Sequence, residues 1–471
     1  MSDSEPRSNR ETGDKAPETE LYGITPELVA EISTALQAGE ISRVDERVAA
    51  LHSADVADLV EALASEDRRL LVEAVRHHLD PEILAELDEH VRPEIIDQLG
   101  AADVAAAIGE LDTDDAVEVV ETLDDEAQQR VLEAVSPEDR VILEEGLTYP
   151  EDSAGRLMQR ELVAVPSYWN VGQTIDFMRD AAEADSEELP DDFYDISVVD
   201  PAHRLLGTVP LSRVLRNKRP VQIEALMEPD KRIVPVTMDQ EDVALLFRQY
   251  GLVSAPVVDA SDRLVGVITV DDVVDVIDEE AEEDIMHLGG VSEIDIYSAA
   301  IETTRSRFSW LAINLLTAIL ASIVISFFTA TIEKIVALAV LMPIVASMGG
   351  NAGTQAMTVA VRSLAMKDLT PANALRVVGK EVLVGSFNGI LFAIIMGVVA
   401  WLWFSDPAIG LVIAAAMIIN LFVAGLAGVA IPLMLERNGV DPAVASGVLL
   451  TTITDVLGFL AFLGLAAIFL L

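Results

Sequence analysis

The chain contains no cysteine, which excludes disulfides, thiolate metal centres and cysteine nucleophiles. Histidine is scarce as well. The six histidines, at positions 52, 77, 78, 90, 203 and 287, form no HExxH pair, so the zinc helix of an intramembrane metalloprotease is missing. All of them precede the long apolar runs, whose candidate ligands are therefore oxygen atoms suited to hard cations. Basic residues are few, 31 Lys and Arg against 79 Asp and Glu, for a net charge of −48. Such a surface offers nothing to a nucleic-acid backbone, and no nucleic-acid partner is expected. The opening MSDSEPRSNRETGDKAPETE has no apolar stretch; residues 1–24 read as a disordered acidic leader, with no signal peptide expected.

What is present falls into two unlike parts. Hydrophobic residues make up 51% of the chain despite the charge. From residue 301 onward there are 8 acids and 8 bases, which leaves 79 − 8 = 71 acids and 31 − 8 = 23 bases before it, again a net of −48. A water-soluble acidic front end is thus joined to a neutral membrane part. Acids spread this evenly over periodic apolar positions solvate a folded surface, as in a protein kept soluble at high salt. No single carboxylate among them is a ligand on composition alone.

Residues 25–150 carry an internal repeat. The stretches 63–75 (LASEDRRLLVEAV), 111–123 (LDTDDAVEVVETL) and 123–135 (LDDEAQQRVLEAV) superimpose without gaps, and 53–63 (SADVADLVEAL) recurs as 101–111 (AADVAAAIGEL). The apolar positions have helical spacing, with Ser65, Thr113 and Asp125 as expected N-caps. The expectation is an all-α superhelical domain acting as scaffold.

Residues 151–280 hold a different duplication. The stretch 196–216 (ISVVDPAHRLLGTVPLSRVLR) aligns with 255–275 (APVVDASDRLVGVITVDDVVD), and upstream 161–165 (ELVAV) aligns with 231–235 (KRIVP). The unequal offsets leave about eleven extra residues in the first copy, for which the acidic loop 183–192 accounts. Each copy reads strand, helix, strand, turn, strand, helix. This pattern resembles a tandem pair of CBS domains, α/β regulatory modules. The resemblance implies a nucleotide contact, with ATP the candidate ligand, at Thr269 and Asp272 of GVITVDD. The first copy has Pro210 and Arg213 in their places.

Five apolar stretches follow, at about 307–329, 335–361, 382–404, 408–434 and 443–470, each near the roughly 20 residues a bilayer requires. With the acidic half in the cytoplasm, Arg305, Arg307, Arg362, Lys367, Arg376, Lys380 and Arg437 fall on inner connections and only Lys334 on an outer one. That asymmetry puts the N-terminal domains inside and the C-terminus outside a multi-pass cell-membrane protein. The second stretch contains PIVASMGGNAGTQAM, in which Pro343, Gly349, Gly350 and Gly353 weaken a helix and Asn351, Thr354 and Gln355 add polar groups. Broken backbone lining a pore is the favoured reading, since two adjacent glycines and an Asn–Gln pair exceed what packing needs; close packing through small residues is the other. In the last stretch, GVLLTTITDVLGFLAF, Asp455 stands in an apolar context at a cost of about 2.5–3.5 kcal/mol. Helical spacing sets it on a face with Gly447, Thr451, Thr454 and Gly458. A protonated Asp bonded to Thr451 is one account. A cation site is the other, favoured because no basic residue lies within any span.

The ensemble resembles the MgtE magnesium channels, on GGNAGTQ in the second span and DPAVASGVLLTTITDVLGF in the last; it departs from them at 446–448, where SGV stands in place of a proline or asparagine. The resemblance implies a homodimer with a pore between subunits, Asp455 as its Mg²⁺ site, and a lining of Gly349, Gly350, Asn351, Gly353, Gln355, Thr451 and Thr454. It further implies a linking helix over 281–306, a membrane domain over 307–471, and gating by cytosolic Mg²⁺ at Asp272, Asp275, Glu280, Glu283, Asp284 and Asp441. Spacings of three and four put these acids on shared helix faces. The fold class expected is therefore a multidomain, largely α-helical membrane protein with no enzymatic activity. Two alternatives stand beside it: a carrier of another divalent ion (Mn²⁺, Co²⁺, Ni²⁺), and a membrane-tethered sensor, which would leave Asp455 unexplained.

Overall fold

The computed structural model describes residues 23–183, 189–190, 193–228, 232–291 and 300–471. Most of the expected leader, much of the acidic loop, Lys231 of the second-copy strand and residues 292–299 of the linking segment lie outside the described residues. The chain divides into two compact units, Met1–Val274 and Asp275–Leu471, each with its own apolar cores.

The first unit opens with short helices running from Pro26–Ala38 to Pro137–Gly146. Their starts are set by local chemistry. Thr25 accepts a hydrogen bond from the Leu28 N–H at 3.1 Å, and Ser136 accepts one from Asp139 at 3.2 Å. Each stands before a proline at the first helical position, where the missing N–H costs nothing. Leu59, Leu71, Leu84, Val104, Val119 and Val120 are fully enclosed, so apolar residues from successive helices share one continuous core.

The repeat is also written in buried arginines. Arg68 donates to the Val60 carbonyl at 2.9 Å and to Glu94 at 2.9 Å. Arg92 donates to the Ala85 and Leu87 carbonyls at 2.7 and 2.8 Å and to Glu118 at 2.7 Å. Each guanidinium folds back on carbonyls at the end of the preceding helix, which would otherwise be orphaned.

Ser65, Thr113 and Asp125 prove to be the first helical residues, so the capping positions fall one earlier, on Ala64, Asp112 and Asp124. A cap acceptor must reach the N–H two or three residues into the helix. Asp124 does so, accepting from Ala127 at 2.8 Å.

The duplication folds as two three-stranded sheets of the same topology. Strands β1 (Ala164–Pro166), β2 (Asp195–Val199) and β3 (Leu205–Pro210) lie in that order, as do β4 (Val234–Pro235), β5 (Ser254–Val258) and β6 (Leu264–Thr269). In each sheet the first pair is parallel and the second antiparallel. Each also has a register shift at the matching Val-Val step, Val198/Val199 and Val257/Val258. The two turns bond to one another, Leu205 N–H to the Asp262 carbonyl at 3.2 Å and Leu264 N–H to the His203 carbonyl at 3.0 Å.

Among its described residues, the second unit has five helices long and apolar enough to cross a membrane: Thr303–Ser326, Ala337–Ala365, Ala374–Phe404, Pro407–Arg437 and Pro442–Phe469. Called spans one to five below, they differ in enclosure. The fourth is the most enclosed, with 56% of its apolar window buried against 6% for the first, so the fourth is the central one. The third and fourth touch backbone to backbone. A Cβ at Gly385 would fall 2.5 Å from the Leu421 carbonyl oxygen, and one at Gly425 2.7 Å from that of Glu381. Glycine at these positions allows the approach.

The second span is not broken. It runs as one helix through Pro343, Gly349, Gly350 and Gly353. Pro343 lies within its first two turns, and Gly349 and Gly353 serve close packing: a Cβ at Gly353 would fall 2.8 Å from Leu450 Cδ1 and one at Gly349 would overlap Asn420. Broken backbone therefore does not line this segment; its polar groups are presented by an intact helix.

Candidate cation pathway and acidic clusters

The polar residues of the second span divide by face. Gly349 and Gly353 are buried, whereas Asn351, Thr354 and Gln355 are exposed and Gly350 lies between. Asn351 Nδ2 reaches back to Ser347 Oγ at 3.3 Å. Glycines thus let neighbouring helices in on one side, and amides and hydroxyls stay open on the other.

The fifth span divides in the same way. Thr454 and Gly458 are buried, Thr451 is exposed and Asp455 is partly buried. The Thr451 hydroxyl donates to the Gly447 carbonyl at 2.9 Å, and Thr454 donates to Leu450 at 3.0 Å. Thr451 therefore spends its proton on its own helix rather than on Asp455. Among the described residues, no basic side chain forms an ion pair with Asp455.

The start of the fifth span meets the helix Val270–Gly289 within the second unit. Asp441 caps the fifth span, accepting from Ala443 N–H at 2.8 Å. His287 Nδ1 lies 3.2 Å from Asp441 Oδ2 and 3.5 Å from Glu283 Oε1. Burial, and then the Asp441 charge, push the Asp284 carboxyl above its usual range, against the pull of His287. The sequence-expected acids Glu283, Asp284 and Asp441 are thus brought together. Asp275 is exposed and Glu280 partly buried on the same helix.

Asp272 belongs to the first unit, and its surroundings there were not legible in the sequence. Asp114 and Asp115, on the helix Thr113–Glu121, feel its charge. Burial first, then Asp272, raise the Asp114 carboxyl well above its ordinary value and bring Asp115 to about 7. The three acids thus share one electrostatic neighbourhood. Glu161 fixes this helix from outside: Thr113 donates to it through Oγ1 at 2.6 Å and through its N–H at 3.2 Å. Nothing in the spacing of Asp114, Asp115 and Glu161 separated them from the rest of the chain's 79 acids; only the fold pairs them. Among the described residues, no group of three His, Asp or Glu side chains gathers closely enough to cage an ion.

Asp272 folds back on the start of its own helix at Thr269. The Thr269 hydroxyl donates to Asp272 Oδ2 at 2.8 Å, and its N–H does so at 3.3 Å. Thr269 also lines a small cleft together with Ser197, Thr208, Ser254, Asp195, Phe193 and Tyr194. Its lining combines hydroxyls, carboxylates and aromatic faces, the types of group that can bond a nucleoside. In the first copy, Arg213 instead donates to the Leu226 carbonyl and to Glu228, both at 2.8 Å. Its guanidinium stands where the second copy has a carboxylate.

Three family models match the chain: the MgtE divalent cation transporter over residues 342–465, the MgtE intracellular N domain over 51–152, and the CBS domain over 223–279. A magnesium transporter MgtE of Thermus thermophilus is 37% identical over 71% of this chain and 74% of its own length. One of Enterococcus faecalis is 33% identical over 70% and 71%. Among solved structures, the cytosolic domain of the Mg²⁺ channel MgtE in complex with ATP is 32% identical and aligns with a TM-score of 0.48, over 53% of this chain and 100% of that one.

Proposed function

Because the chain belongs to the MgtE family of magnesium transporters, we propose that it is a Mg²⁺-selective channel of the cell membrane, closed by cytosolic Mg²⁺. The observation that carries this reading is Asp455, a partly buried acid in the fifth span with no basic partner among the described residues. An unpaired intramembrane carboxylate is a functional group by default. Its partner is the permeating ion. Mg²⁺ sheds water reluctantly and is held through one or two carboxylates with several waters kept. A path walled by Asp455, Thr451, Gly350, Asn351 and Gln355 offers oxygen ligands to that hydrated ion. Oxygen-only donors favour Mg²⁺ over Co²⁺ or Ni²⁺.

The chain works as a homodimer with the path between subunits. Residues 25–150, 151–280 and 281–306 form the cytoplasmic superhelical, CBS and linking parts, and 307–471 the membrane part with its C-terminus outside.

Gating follows from repulsion. Asp114, Asp115 and Asp272 in the first unit, and Asp275, Glu280, Glu283, Asp284 and Asp441 in the second, are acids crowded enough to oppose close assembly. Mg²⁺ neutralises them when its cytosolic concentration is high, and the assembly closes. A bridging hydrated ion needs no preformed three-acid cage. ATP occupies the cleft at Thr269 as a second cytosolic ligand.

The test is growth and Mg²⁺ uptake in a Mg²⁺-dependent strain. Asp455→Ala is expected to abolish uptake, and undiminished Mg²⁺ entry would refute the assignment.

A further inference from the structure

We propose that Asn420 is a positioning residue of the permeation path: its carboxamide ties the fourth span to the second and packs against the fifth at Gly458, and so sets the polar face of the second span relative to that of Asp455. The proposal rests on Asp455 being the cation site.

Asn420 lies in the fourth, central span and is fully buried among Ala416, Met417, Leu421 and Ala424. An amide in such surroundings is costly unless bonded. Its Nδ2 donates to the Val345 carbonyl of the second span at 2.8 Å, one turn before Gly349. Two glycines shape its slot. A Cβ at Gly349 would overlap the amide nitrogen, and one at Gly458 would fall 2.8 Å from Nδ2 and 3.0 Å from Oδ1.

Gly349 adjoins Gly350 and Asn351, and Gly458 follows Asp455 by three residues on the fifth span. One side chain therefore indexes both polar segments. Close packing of small residues explains the glycines, but it does not explain an amide. The Asn420 Oδ1 accepts no hydrogen bond among the described residues. Exchanging oxygen and nitrogen would set two oxygens face to face at Val345, so the orientation is fixed. A leucine would fill the space without an orphaned oxygen. The retained amide is explained by the bond it gives to the second span.

The experiment compares Mg²⁺ and Ca²⁺ influx into liposomes bearing the full-length protein. Asn420→Ala is expected to lower the preference for Mg²⁺ about tenfold, the loss of one buried hydrogen bond being felt as altered pore width. Gly349→Ala is expected to suppress flux. The double variant Gly349→Ala/Asn420→Ala is expected to regain the flux of Asn420→Ala, since the overlap is gone. Wild-type preference in Asn420→Ala, or a double variant no better than Gly349→Ala, would overturn the proposal. If Asn420→Ala does not survive extraction, Asn420→Ser, which keeps a donor, carries the same test: an intermediate preference supports the proposal and a wild-type one refutes it. Asp455→Ala run alongside separates the two readings. Retained Mg²⁺ flux there removes the cation site itself, whereas lost flux with unchanged preference in Asn420→Ala removes the positioning role alone.

Discussion

Glu161 accepts two hydrogen bonds from Thr113, one from the hydroxyl at 2.6 Å and one from the backbone N–H at 3.2 Å. A carboxylate from the segment leading into β1 therefore caps a helix of the repeat domain, where the helix dipole favours negative charge. The same helix carries Asp114 and Asp115 toward Asp272.

Removing the cap should both weaken the fold and dull the sensor. Glu161→Ala is expected to cost about 1–2 kcal/mol of stability and to raise the internal Mg²⁺ needed for closure. Thermal melts and flux titrations check the two effects separately. Glu161→Gln, which keeps an acceptor but loses the charge, should fall between.

The acid cluster gives stability a pH dependence with a definite sign. Asp115 is brought to about 7 from an ordinary value of 3.8, so the folded chain holds its proton where the unfolded chain has lost it. Its favourable contribution is complete below pH 3.8 and is lost as the pH rises to about 7. Without divalent ions, the melting temperature should therefore fall from about pH 5 to about pH 8. Asp115→Asn should flatten that slope, and added Mg²⁺, which favours the charged carboxylates, should reverse it.

Nucleotide binding should be single and should depend on the second copy. Calorimetric titration of the full chain with ATP is expected to give one site per chain, lost in Thr269→Val. Two equal sites would contradict the role of Arg213, whose guanidinium is already bound to the Leu226 carbonyl and Glu228.

How much of this was legible in the sequence depended on whether the signal was local. The five apolar helices and the duplicated strand pattern were legible, because hydropathy and period-two alternation act within one segment. The break expected at PIVASMGGNAGTQAM was not found. Glycine lowers helix propensity, but here it admits Asn420 and Leu450, and that packing outweighs the lost propensity. Asn420 itself carried no local mark, a lone amide in an apolar run. Asp114, Asp115 and Glu161 were hidden among many acids of the same spacing. Their significance comes from contacts across 48 residues or more, such as Thr113 to Glu161, which no window of sequence contains.

The most direct test is Mg²⁺ influx into liposomes holding the full-length protein, measured as internal Mg²⁺ is raised from nominally zero to millimolar levels. The account predicts fast influx at low internal Mg²⁺ and closure at high internal Mg²⁺, with closure lost when Asp272, Asp275, Glu283 and Asp284 are neutralised together. Influx that ignores internal Mg²⁺, or no Mg²⁺ influx at all, would contradict it.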